Sequence, residues 1–509
     1  MKGYTTPYSK VNDISLGGGL KDGFAPFLLE NKDASGIQNI DFSQFGGIAQ
    51  RGGYAALNTT AITGGTTIDG LAWYEYDSGG NRVQKLISVH DGDVYKMDGL
   101  DGTWDDITGA VSITAGNRFT FAPFNGNLYM ANDAEGVLYI DNSLTLAAAT
   151  MPTSVTSAKI VVEFQNYLIY LNVIVSGSRR YARLYYSNFN DPSTFDALDF
   201  IDIANDDGQE ITGAKILGDR LVVYKNRSIY NVMFTGDADI PFAVYRSNSS
   251  VGAASAWSIQ EVLNGHIFLS YDGIYYYDGM NSAKISDDIN TTFQSLNLQN
   301  LEESTSLVYR TKNMYWISVP SSASSTNDTV LVYNFFLKAW SVYDGIDAAY
   351  MQSIYVGDGE ERPYFGDYAG FVYRGDTGVD DYPLNVATAI ASYYDTNWRT
   401  EGSLVSRKTI AALYIYYKLQ AGSIDVRQGY NLDSSYSNNK SFSTAIADAA
   451  LYDTAIYGSS MYSKEGYDRK IIDFTNDGFV HRFRYGNSKL GESWEIVATG
   501  YIVKEITDR

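Results

Sequence analysis

Apolar residues recur at every second position along most of this chain, in short runs separated by Gly, Asp, Asn and Ser. That period of two predicts strands joined by tight turns. Residues 185–234 show the pattern at its densest, with alternating runs at 198–203, 211–217 and 221–234. Asp206-Asp207-Gly208 separates the first two runs, and Lys225-Asn226-Arg227-Ser228 folds the third on itself. Three or four short strands with tight turns amount to about one blade of a β-propeller.

From about residue 68 a hairpin of the same kind recurs. Its copies are LISVHDGDVYKMDG from Leu86, LYMANDAEGVLYIDN from Leu128, LIYLNVIVSGSRRYARLYYSN from Leu168 and LVVYKNRSIYNVMF from Leu221, followed by IFLSYDGIYYYDG from Ile267, a longer one from Met314 and YFGDYAGFVYRGD from Tyr364. Their starts lie roughly 40 to 53 residues apart, the spacing of four-stranded blades. One small antiparallel sheet cannot bury both faces, whereas radial stacking covers each sheet with its neighbours. The pattern therefore predicts an all-β chain with a β-propeller of six to eight blades. Phe119-Thr120-Phe121-Ala122 and Trp257-Ser258-Ile259, each just before a hairpin, read as outer segments of their blades. Two independent β-sandwiches would lack the long period.

The two ends read differently. Residues 1–55 carry Gly17-Gly18-Gly19 and Gly46-Gly47 around isolated apolar runs, the pattern of an extended arm docked elsewhere or of the first strands of the main domain. Residues 56–383 are assigned to the propeller. Beyond a change of pattern near Val379-Asp380-Asp381-Tyr382-Pro383, residues 384–509 alternate evenly again, as in Ala411-Ala412-Leu413-Tyr414-Ile415-Tyr416-Tyr417. A C-terminal β-sandwich-like domain is expected there. Residues 429–464, polar and rich in Tyr, Ser and Asn, read as a long loop or exposed hairpin suited to partner contact. Helical periodicity is confined to residues 292–303, where Phe293, Leu296, Leu298 and Leu301 suggest one short helix or turn.

Composition supports this picture: 43 Tyr, 47 Gly and only 9 Pro in 509 residues suit pleated sheets with large contact surfaces. With 38 basic and 59 acidic residues the formal charge is −21. That argues against a chain gripping nucleic acid by its phosphates, but it leaves room for a surface past which nucleic acid slides. Met1-Lys2-Gly3-Tyr4 leads into polar sequence, so no secretory leader is expected. The longest apolar stretch, 160–175, is interrupted by Glu163, Gln165, Asn166 and Asn172 and reads as buried strand rather than membrane span.

Candidate chemistry is sparse. Cysteine is absent, which removes disulfides, thiolate metal sites and thiol nucleophiles. His90, His266 and His481 are scattered and read as surface or partly packed strand residues. Asp98, Asp101, Asp105 and Asp106 cluster in a turn that could hold Ca²⁺, yet their spacing matches no EF-hand loop, and a solvated turn is the expectation. The Asn205-Asp206-Asp207-Gly208 turn reads likewise. No Gly-x-Ser-x-Gly elbow and no convincing phosphate loop occurs. The sialidase-type Asp box is missing too. No catalytic, cofactor-binding or metal-ligating residue is assigned, and no enzymatic activity is expected. A propeller glycan hydrolase would need two carboxylates at the axis beside a Trp-lined cleft. A receptor- or glycan-binding module is the other alternative.

Several ordered segments resemble one family. They are Asp41-Phe42 to Arg51-Gly52-Gly53-Tyr54, then Tyr186-Ser187-Asn188 with Asp191-Pro192-Ser193-Thr194-Phe195, and then Ile211-Thr212-Gly213 with Leu217-Gly218-Asp219-Arg220 through Lys225 and Ser228-Ile229-Tyr230. Tyr245-Arg246, Val251-Gly252, Ser270-Tyr271-Asp272-Gly273-Ile274-Tyr275 and Asp278-Gly279 continue the order, as does the later stretch 399–408. The sequence resembles the hub or nozzle (stabilisation) tail proteins of short-tailed bacteriophages. The resemblance implies a homo-oligomeric ring, usually six-fold, in the virion tail and assembled in the host cytoplasm. Other tail or portal-adaptor proteins would be its neighbours, and DNA would pass through the ring's channel without sequence-specific binding. An acidic lumen would suit that role, because it repels phosphate.

Overall fold

The computed structural model describes residues 8–13, 15–43, 46–62, 66–355, 360–445 and 466–506. Seven four-stranded antiparallel sheets follow one another and form a seven-bladed β-propeller. Blade 1 runs from Ile68–Ser78 to Trp104–Asp106, blade 2 from Thr120–Phe124 to Leu146–Ala148, and blade 3 from Val155–Phe164 to Phe200–Asp202. Blades 4, 5 and 6 start at Ile211–Leu217, Gln260–Val262 and Thr305–Tyr309. Each of the seven recurring hairpins is the central strand pair of one blade.

Blade 7 takes three strands from residues 350–374 and its fourth, Ala55–Ala56, from near the chain start. Three contacts extend this clasp. Leu57 N donates to Val372 O at 2.8 Å, Ile62 N to Gly370 O at 2.9 Å, and the buried Asn58 amide bonds both Gly370 O and Val372 N. Without it blade 7 would keep only three strands, with Val372–Arg374 as its outer edge.

Two sequence expectations need correcting. Residues 185–234 straddle two blades, because Phe200–Asp202 closes blade 3 and Ile211–Leu217 opens blade 4. The acidic glycine turn between them has the chemistry of the turns inside a blade, so alternation alone could not mark the boundary. The segments before the hairpins are innermost rather than outer. Thr120–Phe124 is the axial strand of blade 2, and residues 256–258 form a 3₁₀ turn leading into the axial strand of blade 5. The 292–303 stretch forms a short helix, Asn290–Gln294, and a 3₁₀ turn, Leu301–Glu303.

Two further sheets face each other as a β-sandwich built from both ends of the chain. In one, Tyr8–Asp13 pairs with Glu495–Ile506, which also pairs with Arg407–Lys418 and Ile48–Gln50. In the other, Asp33–Gln38 pairs with Ser392–Thr396, which continues into His481–Asn487 and Ser423–Tyr430. Arg399 lies between the sheets, ion-paired to Asp13 and placed over the Tyr501 ring at 5.1 Å. Of the 429–464 stretch, the strand Ser437–Ser443 forms the outer part of a hairpin, while residues 446–465 lie outside the described residues.

One apolar core runs without a break from the sandwich (Ile410, Leu413, Ile424, Phe483) into blades 5 and 6 (Ile267, Tyr315, Ile317, Trp340). At the seam Arg51 is 2% exposed and grips Asp381 with both terminal nitrogens, at 2.8 and 2.6 Å. It also donates to Asn39 Oδ1 and to the carbonyls of Gly52 and Asp344. Burial opposes its charge, but Asp381 outweighs that and holds the guanidinium above the usual arginine range. The next residues must be small: a Cβ on Gly53 would stand 1.8 Å from the Asp380 carbonyl oxygen.

Candidate functional site

The axial strands of all seven blades surround a cavity of about 510 Å³. Trp73, Phe121, Val162, Ile216 and Tyr350 supply apolar wall, while Glu163, Lys215, Gln260, Glu261 and Gln352 supply polar groups. The composition follows from the geometry. The edge of each innermost strand faces the axis, so consecutive residues of that strand, such as Ile160 to Glu163 or Tyr350 to Gln352, border the cavity.

Blades 2, 5 and 7 are tied together across this axis. The Phe119 carbonyl accepts hydrogen bonds from the Trp257 indole at 2.9 Å and from the Tyr350 hydroxyl at 3.0 Å. Arg118 lies over the Trp257 ring and pairs with Glu303. A cavity of this volume suits a small molecule. The hydrogen bonds that join blades 2, 5 and 7 across the axis leave no open bore for a nucleic-acid duplex. Any DNA passage must therefore lie outside the propeller axis.

Lys215 is a cation on the axial wall. Burial pushes its ammonium below the ordinary lysine range, the Glu261 charge pulls the other way, and Arg310 adds to the lowering. Its nearest hydrogen-bond acceptor is Gln260 Oε1 at 3.5 Å. No histidine lines the cavity.

The acidic turns are answered by lysines. Asp98 pairs with Lys85 and Lys96, both at 2.8 Å, and Lys96 also reaches Asp105 at 2.7 Å. Asp101 and Asp106 accept the backbone N–H groups of Thr103 and Thr108. Asp207 is held by the fully buried Lys225, whose Nζ lies 2.8 Å from each carboxylate oxygen. Among the described residues no group of three His, Asp or Glu side chains is placed to hold a metal ion.

All three histidines are buried in strands, which corrects the expectation of surface or partly packed positions. The apolar packing of blade and sandwich interiors reaches them, and each finds hydrogen-bond partners there. His266 bonds the Tyr224 hydroxyl and Ile216 O, each at 2.9 Å, while His481 bonds the Gln428 amide and Lys408 O. Burial pushes both imidazoles down to about 4.

The unfolded chain takes up these protons near pH 6.5, whereas the folded protein refuses them until about pH 4. Each histidine therefore contributes stability that is complete above pH 6.5 and lost as pH falls toward 4, about 3 kcal/mol apiece. Asp69 works in the opposite sense. Burial raises its carboxyl to about 6, so its penalty at neutral pH is relieved as pH falls from 6 towards 3.8. Stability measured by urea unfolding is expected to decline from pH 7 to pH 5, less steeply than two histidines alone would give. The ring protons of His266 and His481 should show no titration in the folded protein down to pH 5.

No protein-family profile matches the chain, and no curated protein matches it. Among solved structures it is similar to the computationally designed Ika8 protein, at 12% identity, with 63% of this chain and 99% of that one covered and a TM-score of 0.37. It is also similar to YCF48 bound to D1 peptide, at 12% identity, 67% and 98% coverage and a TM-score of 0.41. A third is U3-55K, at 8% identity, 64% and 98% coverage and a TM-score of 0.42. At these values none of the three bears on function, and the propeller rests on the strand pairing described above.

Proposed function

We propose that this chain is a structural subunit of the tail of a short-tailed bacteriophage, a hub or nozzle ring component that forms part of the conduit for DNA ejection. The observation that carries this reading is where the family-like residues sit. Arg51 and Gly53 lie at the seam of propeller, clasp and sandwich, and Lys225 and Gly252 pack against each other between blades 4 and 5. They hold a frame together and surround no reacting centre. A body with one continuous core across propeller and sandwich suits a part that bears load without turnover. The formal charge of −21 suits a wall past which DNA slides.

The conduit belongs between copies of the chain, since the propeller axis leaves no open bore for a duplex. Ring partners, neighbouring tail proteins and residence in the virion follow from the same reading. Native mass spectrometry and electron microscopy of the purified protein test it. The expected result is a closed ring, six-fold by the resemblance, alone or on addition of tail components. A monomer under every such condition would overturn it, as would steady depolymerisation of a surface glycan by the purified chain.

A further inference from the structure

Two clefts of about 490 and 560 Å³ flank a single turn, Asn226-Arg227, on the face where blades 3, 4 and 5 meet. The turn is fixed from several sides. Lys225, just before it, is fully buried and clamps Asp207 and the Ala204 carbonyl. Gln209 Oε1 accepts the Arg227 N–H at 3.0 Å and the Ser228 hydroxyl at 3.1 Å, and Asn226 Oδ1 accepts the Glu210 N–H at 3.1 Å. On the other side, a Cβ on Gly252 would come within 1.8 Å of the Lys225 carbonyl oxygen, so only glycine lets the neighbouring loop lie this close.

This bracing decides what the turn presents. Both amide oxygens are spent on the turn's own scaffold, which leaves the Gln209 NH₂ for other partners, while the Asn226 NH₂ is turned to the Tyr271 hydroxyl. The exposed Arg227 guanidinium makes no hydrogen bond or ion pair among the described residues. Tyr181 stands in one cleft at 54% exposure and Tyr271 in the other at 44%. Glu210 and Asp272 complete the lining as acceptors.

We propose that the paired clefts bind an acidic oligosaccharide, with a sugar carboxylate on Arg227 and flanking sugar rings against Tyr181 and Tyr271. The planar guanidinium matches a carboxylate in two parallel hydrogen bonds. Tyrosine offers an apolar face with a polar tip, which suits a sugar ring. Glu210 and Asp272 offer acceptors for sugar hydroxyls. A turn already fixed before the ligand arrives loses little entropy on binding. This site is independent of the ring reading, since all its residues lie within one chain.

The test titrates the full chain with a galacturonate hexasaccharide, its fully methyl-esterified neutral counterpart and a pentaglutamate peptide, by calorimetry, for the parent and for Arg227→Gln, Tyr271→Ala and Lys338→Gln, the last a control remote from the clefts. Thermal unfolding checks that the variants are folded. The expected result is saturable binding of the acid form, weakened about tenfold or more by Arg227→Gln. The ester should bind more weakly and respond to Arg227→Gln by less than about twofold, while Tyr271→Ala weakens both sugars. No saturable binding of the acid sugar at millimolar concentration would overturn the proposal. So would equal binding of pentaglutamate, or an unchanged affinity in folded Arg227→Gln.

Discussion

Replacing Arg51 with alanine is expected to lower the free energy of unfolding by about 3–5 kcal/mol, the cost of breaking a buried ion pair from one side. Asp381, 5% exposed, would keep a carboxylate with no cation against it, and the Asn39 side chain and two backbone carbonyls would each lose a donor. The stiff Tyr343 ring below the guanidinium cannot move in to fill the space, since its own hydroxyl is bonded to Asp41. Urea unfolding measures the loss. Arg51→Lys is expected to recover only part of it, because an ammonium cannot hold two carboxylate oxygens and three other acceptors in one plane. A loss below about 1 kcal/mol, as for an exposed pair, would mean that the seam is wetter than its packing implies.

The propeller was legible in the sequence because each blade writes the same local signal: two strands of period two around a turn of Gly, Asp, Asn or Ser. All seven central hairpins could be read in this way, from Leu86 to Tyr364. What could not be read was long-range pairing. The clasp strand is only Ala55–Ala56, too short for any periodicity, and its partner lies more than three hundred residues away at Tyr373 and Arg374. The same holds for Tyr8–Asp13 against Glu495–Ile506, where neither strand's own pattern names the other.

The axial position of Phe119 to Ala122 is not legible in the sequence, because strand order within a blade is a matter of topology, and inner and outer strands alternate alike. The burial of the histidines is not legible either, because polar type suggests surface, whereas Tyr224, Ile216 and Gln428 supply buried partners drawn from distant segments. The clefts were invisible for the same reason. Asn226-Arg227 reads as turn punctuation, and only folding brings Gln209, Tyr181 and Tyr271 around it.

Trp340→Ala tests whether propeller and sandwich are one cooperative body, and the expected cost is about 3–5 kcal/mol, the range for losing a buried Trp. Trp340 lies on the outermost strand of blade 6, Ala339–Tyr343, and is 1% exposed. Its indole donates to Ile285 O at 2.9 Å and its ring packs on Tyr333 at 4.7 Å. Around the strand, Asn39 N donates to Val342 O and the Ser341 hydroxyl to Ile40 O, so chain-start strands of the sandwich are bound directly to the blade's edge.

The backbone comes so close that a Cβ on Gly19 would lie 2.6 Å from Trp340 N. Removing the indole opens the core at the point where the two domains share it, while leaving the interior of each largely intact. Calorimetry of the parent should give one main transition, and Trp340→Ala should give two, because the coupling between domains weakens more than either domain does. Trp340→Phe, which keeps most of the packing but loses the hydrogen bond and part of the ring volume, should restore the single transition at a lower midpoint. A variant that melts in one sharp step would show that the sandwich strands from residues 8–50 bind the domains together without the tryptophan.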